Sequence, residues 1–142
     1  MRKRTVVLVL ALLILCLAPM QMFAVQANQA ANLEIGPLWV NIVRFSNFFD
    51  ISSNGLAQID TSLLARSNIN GVVINASIQR YANGNWQTIK SWTNTSNGYI
   101  GDLTENWNVV SGHYYRLVSN GTVYQNGVLV EQTSYTGPAY WY

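Results

Sequence analysis

Asparagine followed directly by glycine occurs six times in this chain, at Asn54-Gly55, Asn70-Gly71, Asn83-Gly84, Asn97-Gly98, Asn120-Gly121 and Asn126-Gly127. The pair adopts consecutive positive φ angles at little steric cost, which is what a tight hairpin turn demands of the backbone. Between these pairs lie short β-branched and aromatic runs, and no segment beyond the leader carries a sustained helical period with caps. The combination points to an antiparallel all-β protein. The expected strands are 38–51, 55–64, 72–81, 86–93, 99–109, 113–124 and 128–135. Seven short strands with turn signals about every ten residues suggest a two-sheet sandwich, and a small closed β-barrel is the alternative.

The leader is read separately. Arg2, Lys3 and Arg4 form a basic start, Val6 to Ala18 is an unbroken apolar run, and Val25-Gln26-Ala27 supplies small or modest residues at a cleavage site. This is the three-part pattern of a secretory signal peptide over residues 1–27. The apolar run is shorter than the roughly 20 residues that a spanning helix needs, so the chain is expected to meet a membrane only through this segment, before cleavage. Residues 28–37 form a polar lead-in, and 38–142 the β-sandwich domain. The protein is therefore expected outside the cell.

Removing the leader changes the charge. Three of the eight basic side chains lie in it, so the mature chain keeps five against six acidic ones, a net charge of −1 with His113 neutral. Arg44, Arg66, Arg80, Lys90 and Arg116 stand singly, whereas counterion release on nucleic acid needs clustered cations. No nucleic-acid partner is expected. The single cysteine, Cys16, lies in the leader. The mature domain thus relies on packing, without disulfides, thiol catalysis or thiolate metal sites. A chain of this size buries roughly two thirds of its unfolded surface, enough for one core.

The stretch Ile78 to Trp92, IQRYANGNWQTIKSW, combines a turn with three aromatic residues. With Asn83-Gly84 at the turn centre, Tyr81 faces Trp86, Gln79 faces Thr88, Ile78 faces Ile89, Ser77 faces Lys90 and Asn75 faces Trp92. Side chains alternate between the faces of a strand. One face then holds Val72, Ile74, Ala76, Ile78 and Ile89 and is the expected core. The other holds Tyr81, Trp86 and Trp92 with Gln79, Thr88, Ser77, Lys90 and Asn75 between them. Aromatic rings flanked by amides and hydroxyls suit a carbohydrate, whose C–H faces stack on rings while its hydroxyls take hydrogen bonds. The plainer reading is a cross-strand aromatic pair that stiffens a hairpin.

The later strands carry a resemblance. Trp86 to Trp92 after a hairpin, then Gly112-His113-Tyr114-Tyr115-Arg116-Leu117, resembles the second half of an immunoglobulin-like or fibronectin type III sandwich. By that likeness Tyr114 or Tyr115 is the corner tyrosine that hydrogen-bonds upstream. The pattern Asn83 to Trp92, Gly112 to Arg116 and Asn126 to Glu131 is also similar to small secreted proteins of Gram-positive bacteria from an uncharacterised family. The likeness implies a secreted β-domain and no activity.

Catalytic residue types are few. His113 is the only histidine and no Gly-x-Ser-x-Gly accompanies it. Glu34, Asp50, Asp60, Asp102, Glu105 and Glu131 show no context for paired acid–base chemistry, and Asp102 with Glu105 lacks the patterned third ligand of a calcium loop. No catalytic, cofactor or metal site is expected. The expected function is a secreted, non-catalytic binding module for cell-envelope or environmental glycan or for another extracellular protein. The alternative is a structural protein that self-associates without a small ligand.

Overall fold

A computed structural model describes residues 38–142. The signal peptide and the polar lead-in expected over 1–37 lie outside the described residues. Seven strands follow one another: β1 (Ile42–Ile51), β2 (Leu56–Ala65), β3 (Gly71–Ala82), β4 (Asn85–Ser96), β5 (Ile100–Asn108), β6 (Tyr114–Gln125) and β7 (Val128–Thr136). A two-residue strand, β8 (Tyr140–Trp141), comes last. All pairings are antiparallel. One sheet has the order β1-β2-β5; the other runs β4-β3-β6-β7, with β8 also paired to β6. The result is an all-β sandwich of two antiparallel sheets, and no barrel closes.

Alternation builds the core. Ala57, Ile59, Thr61 and Leu63 of β2 face Val72, Ile74, Ala76 and Ile78 of β3 and Tyr115, Leu117, Ser119 and Val123 of β6, all of them buried. A residue of this kind sits on every second position because successive side chains point to opposite faces. Burying an aliphatic side chain contributes about 1.5–3 kcal/mol, so a one-residue slip of any of these strands would forfeit several such terms.

The Asn-Gly pairs do not all do the same work. At Asn83-Gly84 and Asn126-Gly127 both residues take positive φ (53° and 78°; 52° and 80°), and these pairs close the β3–β4 and β6–β7 hairpins. Asn120-Gly121 is no turn at all but lies within β6. There a Cβ would overlap Leu63 Cδ1 and press on Phe45, so glycine lets the opposing sheet approach closely.

Three edge strands carry a β-bulge. In β4, Gln79 pairs with Thr88 but Ile78 pairs with Lys90, leaving Ile89 as the extra residue. In the same way Val43 is extra in β1 and Val130 in β7. One unpaired residue bends the strand and reverses the facing of everything beyond it.

Candidate functional site

The outer face of the larger sheet carries the chemistry of interest. Trp86 on β4 pairs with Tyr81 on β3, ring centroids 5.2 Å apart. The β3–β6 ladder is paired as far as Arg80 with Tyr115, and the next step places Tyr81 beside Tyr114. Tyr114 in turn pairs with Trp141 of β8, centroids 4.8 Å apart. Trp86, Tyr81, Tyr114 and Trp141 thus form one aromatic row across four strands, about 14 Å wide at the usual strand spacing. Tyr81, Tyr114 and Trp141 are exposed by 42%, 47% and 63%, and Trp86 is half-buried. The rings are tilted by 58° and 64° within the two pairs, so the row is corrugated rather than flat.

A polar row lies one step along the strands. Arg116 Nε donates to Gln79 Oε1 at 2.9 Å, and Gln79 Nε2 donates to Thr88 Oγ1 at 3.4 Å. The Arg116 guanidinium also lies over Trp86. Arg116 is the one charged side chain on this face among the described residues. Arg44, Asp50, Asp60 and Asp102 occupy the outer face of the smaller sheet, by their alternation with the buried positions of β1, β2 and β5.

Five of the six residues expected from the sequence share this outer face: Tyr81, Trp86, Gln79, Thr88 and Asn75. Trp92 does not. The bulge at Ile89 shifts the register, so Trp92 pairs with buried Ala76 and packs against the core, and Asn75 meets Thr93 instead. Thr93 Oγ1 donates to Asn75 Oδ1 at 2.6 Å. Lys90 leaves the outer face for the same reason. It pairs with Ile78, and its ammonium lies 4.5 Å from the Trp107 ring centroid and 5.5 Å from that of Trp92, closing the gap between the β4 and β5 edges. Tyr114, Arg116 and Trp141 are the members that sequence reasoning missed. Alternation in β6 already sets Tyr114 and Arg116 opposite to Tyr115; what brings them beside Tyr81 is long-range strand pairing.

Other polar groups have structural work. The Tyr115 hydroxyl donates to the Val110 carbonyl at 2.7 Å, a tie five residues upstream at the entrance to β6. Burial pushes the Tyr115 phenol above its ordinary pKa, against the opposing effects of that bond and of Arg80. The Glu131 carboxylate accepts backbone N–H groups from Val40, Asn41 and Ile42 at 2.9, 2.7 and 2.8 Å. Burial raises its pKa, but these donors and the charge of Arg66 outweigh that and hold it below the usual value. His113 pairs its main chain with that of Tyr142. Asp102 and Glu105 lie within β5, three positions apart and therefore on opposite faces. Among the described residues no group of three or more His, Cys, Asp or Glu side chains is placed to hold a metal ion.

Fold and face together define a β-sandwich with one nearly uncharged, aromatic-bordered sheet surface. Comparison with protein-family models, curated proteins and solved structures finds no match to the chain.

Proposed function

We propose that this protein is a secreted, non-catalytic binding module that holds glycan on the outer face of its larger sheet. The observation that carries the reading is the aromatic row Trp86–Tyr81–Tyr114–Trp141 backed by the hydrogen-bonded row Thr88–Gln79–Arg116. Tyrosine and tryptophan offer large contact areas with only two side-chain torsions to immobilise. The neighbouring amide and hydroxyl both donate and accept, matching sugar hydroxyls that do the same. Because Arg116 already binds Gln79 and Trp86, the polar row is held in place before a ligand arrives, which lowers the entropic cost of binding. The signal-peptide pattern of the leader supports an extracellular site of action.

Self-association through sheet edges is the competing reading. Bulges in β1, β4 and β7 and the inward-pointing Lys90 on β4 weigh against it, since both features blunt edges against pairing.

The test is retention of the mature protein on insoluble cellulose, xylan, chitin and peptidoglycan, with thermal melting run in parallel. We expect the parent to be retained on at least one support, and the Trp86→Ala/Trp141→Ala variant to be released with little change in melting temperature. A parent that passes through every support, or that forms oligomers in light scattering, would overturn the proposal.

A further inference from the structure

We infer that the ligand is a long, linear, uncharged polysaccharide segment lying lengthwise along β3, from the aromatic row to a second contact region around Tyr124. The inference rests on the glycan reading above. The outward side chains of β3 shorten away from the aromatic end: Tyr81 and Gln79 give way to Ser77, Asn75, Val73 and Gly71. Above the short residues lie two open depressions, end to end. The first, of about 270 Å³, is walled by Ser91 and Thr93 of β4 and by Val118 and Asn120 of β6. The second, of about 440 Å³, lies over Gly71 and Val73, between Thr95 and Asn97 on one side and Tyr124 and Asn126 on the other. The ten steps along β3 from Gly71 to Tyr81, at about 3.3 Å each, make a track of about 33 Å, room for several sugar units rather than one.

The far wall is fixed in place. Asn70 Nδ2 donates to Asn126 Oδ1 at 3.0 Å, and the Asn126 backbone N–H donates to Asn70 Oδ1 at 2.8 Å. Tyr124 supplies an aromatic ring at this end, so the track has ring contacts at both ends and amides and hydroxyls between. Charge selects the occupant. A polyanion would find the single cation Arg116, already engaged by Trp86 and Gln79, and a polycation would find no carboxylate on the face. A peptide gains no strand pairing here, because both edges of β3 are taken by β4 and β6. An uncharged polyhydroxyl chain needs only the side chains that are present.

Calorimetric titration with neutral gluco-, xylo-, manno- and chito-oligosaccharides tests this, with polygalacturonate as the charged comparison and melting recorded for every variant. On the preferred series, affinity should rise by about tenfold or more from trisaccharide to hexasaccharide, an increment of about 1.4 kcal/mol. Val73→Lys, which lays a long cation into the track, and Tyr124→Ala should remove that gain while trisaccharide affinity is kept. Trp86→Ala/Trp141→Ala should remove both. Equal affinity for trisaccharide and hexasaccharide would overturn the lengthwise track and leave the glycan reading standing. Preference for polygalacturonate would overturn the uncharged ligand. No binding to any neutral glycan would overturn both the track and the reading beneath it.

Discussion

The guanidinium carbon of Arg116 lies 4.2 Å from the ring centroid of Trp86, while its Nε reaches Gln79 on the strand between them. One β6 side chain thus props an indole two strands away. A cation–π contact open to water contributes about 0.5–1 kcal/mol. Arg116→Met keeps most of the stem and removes the charge. Denaturant unfolding should show a loss of about that size, and retention on glycan should weaken because Trp86 is no longer held.

Ile78 and Trp92 test the register of the β3–β4 hairpin. Ile78 is fully buried, so Ile78→Ala should cost about 2–5 kcal/mol in denaturant unfolding. Trp92 packs half-buried against the same core, and Trp92→Ala should cost about 3 kcal/mol. Trp86→Ala should cost clearly less. A reversed order of the two tryptophans would mean that no bulge lies at Ile89.

Tyr115→Phe removes the hydroxyl that bonds the Val110 carbonyl, a loss of about 1 kcal/mol at neutral pH. The variant also changes alkaline behaviour. Burial raises the folded-state pKa of Tyr115 above its ordinary 10.0, so its neutral form stabilises the fold fully below pH 10. That contribution is lost as pH rises through the folded value. Unfolding curves recorded upward from pH 9 should therefore decline less steeply for Tyr115→Phe than for the parent.

Glu131 works in the opposite direction. Its folded pKa is depressed, so its contribution is present above the ordinary value of 4.5 and lost as pH falls through the lower, folded value. Glu131→Gln should cost about 1.5 kcal/mol at neutral pH, the scale of hydrogen bonds to a charged group. It should also flatten the acid decline between pH 5 and the parent's acid midpoint. Thermal melts across that range, compared between parent and variant, measure both effects.

Much of the fold was legible locally. Asn83-Gly84 and Asn126-Gly127 sit where two hairpins turn, because positive φ at two adjacent residues is a property of those residues themselves. The buried set Val72, Ile74, Ala76 and Ile78 follows from a period of two along one strand, and the Tyr81–Trp86 pair from counting outward from the turn.

Only the tertiary structure decided the rest. Asn120-Gly121 carries the same turn signal, yet it lies in β6, where Leu63 and Phe45 of the other sheet need the space a Cβ would fill. The bulge at Ile89 inserts one residue into an edge strand and turns Trp92 and Lys90 inward; packing of that edge against β5 outweighs the continuous alternation of the sequence. The aromatic row was still less visible. Tyr81, Tyr114 and Trp141 are distant in the chain and become neighbours because β3 and β6 bury their opposite faces against one core and β8 pairs with β6. Alternation tells which residues share a face of one strand, but burial of the whole assembly chooses which strands lie side by side.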